Sequence, residues 1–282
     1  MKLKSSVQAE LNSHVFTFEH TGYTDALKVI RLSDVHFDSR HCQRQQLKRV
    51  LDYALKENVF IIIGGDFLDL MQGKLDKRAS KAEMTVRDVD KGAYVNKIIE
   101  EAIAFLEPYK QNILLFCYGN HETAFEKYND IDVTKLIYDR IRHDHMYLGG
   151  FNGWIKFNMG GKRHGSVVMY YEHGTGIGAD VSKDMIRFNR VNNKVQGADI
   201  VFLEHTHNKT IDYHAMNEVT ERGKVRTKTQ IRVGGGSFKD DYGTGYKGFS
   251  AEKGVPKPLG CFQFEMYMKD NPMITVYSMD LI

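Results

Sequence analysis

Short apolar runs that end in polar residues recur along the chain, and they predict strands that carry polar side chains at one end. The runs end in Asp34-Val-His36, Gly65-Asp66, Gly119-Asn120-His121, His173-Gly174 and His205-Thr-His207. Successive side chains of a strand point to opposite faces, so Asp34 and His36 project the same way. A carboxylate beside an imidazole could supply two ligands of a metal site. The later runs end in further residues of types that bind metal.

The first half of the chain has the pattern of alternating strands and helices. Apolar residues at helical spacing predict an amphipathic helix over residues 43–57, between the strand before Asp34 and a fully apolar strand at residues 59–63. Strand, helix and strand in this order form a βαβ unit, which implies parallel neighbours. Further helices are predicted over about residues 93–107, stopped by Pro108, and after Asn129 and Asp130, which can cap a helix.

The second half, from Tyr147 on, has the pattern of a mostly β layer. One helix is predicted at about residues 183–195. Strands are predicted at residues 154–157, 166–171, 200–203, 209–215, 224–233, 261–267 and 274–278. The chain contains neither an internal repeat nor a low-complexity linker, so residues 1–282 are expected to form a single domain.

Two polar stretches interrupt these elements. Residues 71–92 are rich in Lys and Arg and follow Asp66 closely, so they predict a long surface excursion that is either a solvated loop or a lid facing a substrate. Residues 234–282 begin with a Gly-rich, Tyr-rich loop before the last strands. In that loop, Tyr242 and Tyr246 are candidate substrate contacts, with a plain surface loop as the alternative. His41, just beyond the Asp34 strand, is a third candidate because loops beside a site often carry function.

Composition narrows the class of protein. The net charge is +3 over 282 residues, a near balance that by itself does not predict a nucleic-acid binder. Cys42, Cys117 and Cys261 are far apart and form no CxxC pair, so neither a zinc knuckle nor a disulfide framework is indicated. The sequence shows no secretory signal and no run as long as a membrane span. We therefore expect a soluble, cytoplasmic protein without a membrane partner.

The pooled polar clusters form a candidate metal-ligand set. Its members are Asp34, His36, Asp66, Asn120, His173, His205 and His207. Oxygen and nitrogen donors without sulfur suit borderline divalent ions such as Mn, Fe, Zn or Ni. Seven ligands are more than one ion needs, so we expect two ions that share one carboxylate.

The same five motifs, in this order, resemble those of the calcineurin-like metallophosphoesterase superfamily. They span roughly residues 30–210. The resemblance implies an α/β fold of four layers, in which two packed mixed β-sheets are flanked by helices. It also implies a centre of two divalent metal ions, for which manganese is our first expectation and Fe, Zn or Ni are alternatives.

The resemblance also implies a role for each site residue. Asp34, His36 and His207 would bind the first metal, Asn120, His173 and His205 the second, and Asp66 would bridge the two. His121 would not bind metal but would face the substrate and assist the leaving oxygen, and Asn120 would also touch a phosphate oxygen. The catalytic residues expected from the resemblance are therefore His121, Asn120 and Asp66.

One position departs from the family pattern. Glu204 stands before the last His-x-His pair, where the family usually has glycine. If the position needs a positive φ, Glu204 is costly and the local turn must differ. If it does not, Glu204 is a candidate for a side chain that orients a ligand histidine.

The motifs also bear on the substrate. Gly65-Asp66-Phe-Leu-Asp69 resembles the form seen in the SbcD-type DNA exonuclease branch of the superfamily, and His-x-His is common to that branch and to cyclic-nucleotide phosphodiesterases. Gly119-Asn120-His121-Glu122 is also what serine/threonine protein phosphatases carry, but their Asp-Arg-Gly is missing here. We therefore expect hydrolysis of phosphodiester bonds in nucleic acid or nucleotides, by in-line attack of a hydroxide held between the metals. A phosphomonoesterase acting on nucleotides or phosphoproteins, and a non-catalytic scaffold, are the alternatives.

Overall fold

The structure of the protein is a computed structural model. It describes residues 2–8, 12–19, 26–70, 91–159, 165–174, 182–220, 222–240, 242, 256–268 and 272–280. Nearly all of the predicted excursion at residues 71–92, and Tyr246, lie outside these ranges.

Thirteen strands and five α-helices are found among the described residues. The strands are β1 (Lys2–Gln8), β2 (Ser13–Glu19), β3 (Leu27–Leu32), β4 (Phe60–Ile63), β5 (Ile113–Phe116), β6 (Tyr147–Leu148), β7 (Asn152–Met159), β8 (Gly165–Glu172), β9 (Ile200–Leu203), β10 (Thr210–Val219), β11 (Val225–Gly234), β12 (Gly260–Met268) and β13 (Pro272–Asp280). The helices are α1 (Arg44–Lys56), α2 (Lys91–Leu106), α3 (Asn120–Asn129), α4 (Val133–Ile141) and α5 (Lys183–Asn192).

The strands form two mixed sheets. A six-stranded sheet has the order β13-β12-β3-β4-β5-β6, and a seven-stranded sheet has the order β1-β2-β7-β8-β9-β11-β10. In the first sheet β3, β4 and β5 run parallel, which confirms the predicted βαβ unit. In the second sheet β8 and β9 run parallel. The carboxyl ends of the parallel strands within each sheet therefore meet at one edge.

The side-chain alternation of β4 shows how the layers are built. Ile61 and Ile63 belong to the core under α1, α2 and α4, whereas Ile62 lies in the core between the two sheets. A strand covered on both faces has to be apolar throughout, which explains its unbroken run of apolar residues. Helix α5 packs through Phe188 and Val191 on Val201 and Leu203 of the seven-stranded sheet. The result is the predicted order of helices, sheet, sheet and helix.

The structure corrects one helix boundary. Asn129 and Asp130 do not begin a helix but end α3, and Asp130 is its left-handed C-cap. Helix α4 begins three residues later, where the carboxylate of Asp132 accepts a hydrogen bond of 2.8 Å from the backbone N–H of Lys135. Helix α3 itself was not predicted, because its first turn consists of the polar residues Asn120, His121 and Glu122 rather than an apolar stripe.

Among the described residues, none of the helices combines the length and the apolar character that crossing a membrane requires.

Candidate metal centre

The polar residues at the strand ends have an unusual backbone conformation. Asp34, His36, Asp66, His205 and His207 all have φ between +49° and +80°. They make up five of the nine non-glycine residues with positive φ in the described part of the chain. Such a conformation costs on the order of 1–3 kcal/mol and persists where the surrounding structure enforces it. The strand ends are therefore bent in a way that the residue types alone do not favour.

Three side chains from the two sheets form a first group of metal-ligand type. Nε2 of His36 lies 3.2 Å from Nε2 of His207, and the latter lies 3.4 Å from Oδ1 of Asp34. Asp34 and His36 are almost completely buried, with 0% and 1% of their surface exposed. Two imidazole nitrogens and a carboxylate oxygen thus converge on one point.

A second group lies beside the first. Nε2 of His173 lies 2.9 Å from Oδ1 of Asn120 and 3.1 Å from Oδ2 of Asp66. Asp66, His173 and His205 each offer a ligand atom within 4.8 Å of the others, and Asp66 also forms such a group with His36 and His121. Asp66 therefore lies between the two groups, which is the position of a bridging ligand.

His121 lies at the edge of this cluster. Its Nε2 is 3.8 Å from Oδ2 of Asp66. Its Nδ1 is 2.5 Å from the backbone oxygen of Asp69, which can only accept, so Nδ1 carries a proton. This hydrogen bond fixes the tautomer and turns Nε2 toward the cluster.

A buried carboxylate lies behind one histidine of each group. Oδ1 of Asp69 is 2.6 Å from Nδ1 of His36 and 3.0 Å from Nζ of the buried Lys239. Oε2 of Glu204 is 3.2 Å from Nδ1 of His173. When a carboxylate accepts a hydrogen bond from one ring nitrogen, it orients the lone pair of the other nitrogen and makes that nitrogen a stronger metal ligand.

Close backbone contact explains the glycine at Gly119. A Cβ at this position would lie 2.1 Å from the backbone nitrogen of Asp66, so any side chain would push the ends of β4 and β5 apart. The N–H of Gly119 and that of Asp66 share one acceptor, the buried carboxylate of Glu122, at 3.0 and 3.1 Å. The first turn of α3 is thereby held against the residue that lies between the two groups.

The electrostatics of most of the cluster suit a bound cation. Burial alone would raise the pKa of Asp34, but its hydrogen bond to His207 and the nearby histidines hold that pKa well below its usual range. Burial also acts against ionisation of Asp66, yet His173 and His121 lower its pKa. Burial lowers the pKa of His36 and of His205 to about 4. Ionised carboxylates and neutral imidazoles are the forms that bind metal. His173 differs: burial disfavours its charged form, but Asp66 and Glu204 hold its pKa well above the usual value, so a metal at its Nε2 would displace a proton.

The structure brings all seven predicted ligands and His121 together, and the donor set fits divalent ions because it contains oxygen and nitrogen but no sulfur.

Of the three candidate substrate contacts, His41 is 5% exposed and Tyr242 is 45% exposed, while Tyr246 lies outside the described residues. Two buried cations were not predicted, because nothing local in the sequence marks one. They are Lys239 and Arg187 of α5, which donates a hydrogen bond of 2.9 Å to the backbone oxygen of His173. The sequence indicates that Asp69 is a structural residue that caps a turn or orients a ligand, and its contact with His36 fits the second role.

The chain belongs to the calcineurin-like phosphoesterase family. The sequence model of that family matches residues 27–235, which include all seven candidate ligands and His121. A comparison with curated protein sequences gives no match.

Three solved structures resemble this one at low identity. A Streptococcus pneumoniae protein described as a predicted phosphoesterase is 11% identical, with 91% of this chain and 99% of that chain covered and a TM-score of 0.34. A Plasmodium protein described as the anchor in the inner membrane complex is 11% identical over 91% of this chain and 88% of that one, with a TM-score of 0.41. A Thermotoga maritima protein is 11% identical over 90% and 99%, with a TM-score of 0.36. The family assignment rests on the family model and not on these structures.

Proposed function

We propose that the protein is a phosphoesterase that depends on two divalent metal ions and hydrolyses phosphodiester bonds of nucleic acid or nucleotides. The observation that carries the proposal is the convergence of Asp34, His36, Asp66, Asn120, His173, His205 and His207 from strand ends of both sheets. Asp34, His36 and His207 would hold the first ion, Asn120, His173 and His205 the second, and Asp66 both. Manganese is the ion we propose, and Fe, Zn or Ni would suit the same donors.

Each residue of the cluster has a defined task in this proposal. When bound, the two ions supply positive charge to the phosphoryl oxygens and acidify a water molecule near them. Asn120 places an amide beside a phosphate oxygen. Nδ1 of His121 stays hydrogen-bonded to the carbonyl of Asp69. When the ring is charged, Nε2 also carries a proton, which it can give to the oxygen of the leaving group. No side chain of the cluster is a nucleophile of the serine or cysteine type, so a covalent intermediate is not required.

The sequence supports a diester over a monoester. Gly65-Asp66-Phe-Leu-Asp69 has the form of the DNA exonuclease branch, and the Asp-Arg-Gly of protein phosphatases is missing after it. Phosphomonoester hydrolysis is the second candidate, because Gly119-Asn120-His121-Glu122 also fits a phosphatase. A non-catalytic scaffold is disfavoured because every ligand position holds a residue able to bind metal.

The relative rates on two aryl phosphates test the proposal. We expect the purified protein, loaded with manganese, to cleave bis-p-nitrophenyl phosphate faster than p-nitrophenyl phosphate, and to lose both activities after chelation of the metal. Faster cleavage of the monoester would overturn the diester assignment. Failure of the folded protein to bind any stoichiometric divalent ion would overturn the metal centre itself. Cleavage of the diester justifies comparison of single-stranded and double-stranded DNA and RNA.

A further inference from the structure

Glu204 is a buried carboxylate that joins the two sheets directly behind the cluster. It follows β9 of the seven-stranded sheet, and 1% of its surface is exposed. Its Oε2 accepts a hydrogen bond of 2.9 Å from the N–H of Gly65, at the end of β4 in the six-stranded sheet, and lies 3.2 Å from Nδ1 of His173. Its Oε1 accepts a hydrogen bond from Nη2 of Arg31 on β3. Glu204 is not among the residues with positive φ, so the backbone does not require glycine there.

Arg31 is completely buried between the sheets. Its guanidinium carbon lies 4.7 Å from the centre of the Tyr171 ring and 4.7 Å from that of Phe202, so two aromatic faces enclose it. Nε and Nη1 have no hydrogen-bond acceptor among the described residues. Taking an ion pair out of water commonly costs as much as the attraction returns, so stability alone is a poor reason for this pair.

The surroundings of Glu204 are shaped to keep its carboxylate in place. A Cβ on Gly64 would lie 2.2 Å from Oε1 of Glu204, so the missing side chain leaves the space that the carboxylate fills. Arg187 on α5 donates hydrogen bonds to the backbone oxygens of His173, at 2.9 Å, and of Glu204. His173 is therefore fixed both at its backbone and at Nδ1, and Nε2 is left to point at Asp66 and Asn120.

We infer that Arg31 and Glu204 act as a positioning pair for the second metal site. Arg31 anchors the carboxylate, and the carboxylate accepts a hydrogen bond from Nδ1–H of His173, which orients the ring and makes the lone pair of Nε2 a stronger ligand for metal. Glu204 thus has a specific task at a position where the family usually carries glycine. This inference rests on the proposed metal centre and adds to it a determinant of affinity for one of the two ions.

The substitution Glu204→Gln tests the pair, because it removes the charge and keeps the size of the side chain. Manganese binding is measured by calorimetry, and the electron paramagnetic resonance spectrum distinguishes a coupled ion pair from an isolated ion. We expect the wild-type protein to bind two ions. We expect Glu204→Gln to bind the first ion normally and the second about 10–100-fold more weakly, with an isolated-ion spectrum where the wild type shows a coupled one.

Two further variants guard against a simple folding defect. Glu204→Asp keeps the charge that Arg31 needs but shortens the side chain by one methylene, and Gly64→Ala leaves Glu204 unchanged but displaces its carboxylate. Both are expected to lower the affinity for the second ion as Glu204→Gln does, and to leave the circular dichroism spectrum unchanged. The matched control is Glu172→Gln. Glu172 immediately precedes His173 but binds Tyr170 and Lys194 at 2.7 and 2.5 Å, so this variant should bind both ions as the wild type does.

The outcomes separate this inference from the proposed function. If the wild type binds two ions and the folded Glu204 and Gly64 variants bind both with wild-type affinity, Glu204 only neutralises Arg31 and the positioning pair is refuted. An equal effect of Glu172→Gln would also refute it, because any lost carboxylate near His173 would then suffice. Failure of the wild type to bind metal would instead refute the proposed function.

Discussion

Asp66→Ala is expected to abolish hydrolysis. Asp66 is the only one of the seven candidate ligands that we assign to both metal ions, and its Oδ1 also accepts a hydrogen bond of 2.9 Å from the N–H of His121. Its removal would therefore weaken the binding of both ions and remove one of the hydrogen bonds that hold the first turn of α3. The loss should exceed the roughly 10–100-fold effect typical of residues that only support a metal ligand. The measurement is turnover of bis-p-nitrophenyl phosphate with manganese, together with the number of ions bound.

Asp52→Ala is the control for this substitution. Asp52 also carries a carboxylate, but it lies on the exposed side of α1, where it pairs with Lys48 and Tyr109 at 2.7 Å. The exposed ion pair with Lys48 contributes up to about 1 kcal/mol, and the hydrogen bond from Tyr109 about 1 kcal/mol, so the control should still fold and turn over normally. Metal-dependent turnover by Asp66→Ala near the wild-type rate would show that Asp66 does not bridge the ions.

His121→Ala is expected to slow hydrolysis by an amount that depends on the leaving group. p-Nitrophenolate leaves without a proton, whereas the alkoxide of a nucleoside needs one. We therefore expect a loss of about 10²–10⁴-fold for a dinucleotide, the usual size of general-acid catalysis, and a much smaller loss for bis-p-nitrophenyl phosphate. The measurement is kcat for both substrates under the same manganese concentration.

The metal content of His121→Ala decides between two tasks for this histidine. Its Nε2 lies 3.8 Å from Asp66, and His36, Asp66 and His121 are close enough to form a ligand group of their own. If His121 assists the leaving group, the variant binds two ions, and its kcat falls much further for the dinucleotide than for bis-p-nitrophenyl phosphate. Equal losses for both substrates, accompanied by a lost ion, would make His121 a metal ligand instead.

The sequence predicts those parts of the fold that depend on local pattern. The apolar run through Ile61, Ile62 and Ile63 predicts a strand buried on both faces, and the stripe of α1 predicts a helix beside it. The polar residues after the strands, from Asp34 to His207, could be pooled because parallel strands end at a common edge. Those predictions need only residue types and spacing.

The remaining features depend on contacts between distant parts of the chain. Strand β1 has little apolar alternation of its own and is defined by its pairing with β2, as Leu3 with Phe18 shows. The buried contacts of Lys239 with Asp69 and of Arg31 with Glu204 join residues 170 or more positions apart. The left-handed backbone at Asp34 and Asp66 opposes the preference of the residues and is imposed by the packed strands around them.

The candidate ligands come from both sheets, and this has a consequence for folding. Asp34, His36 and Asp66 follow strands of the six-stranded sheet, whereas His173, His205 and His207 follow strands of the seven-stranded one. Under the proposed function, each ion would cross-link the two halves of the sandwich and bind the folded chain only. Each ion would then stabilise the native state by about 2.7 kcal/mol at a free concentration 100-fold above its dissociation constant. The metal supply would then set the fraction of the protein that is folded as well as the fraction that is active.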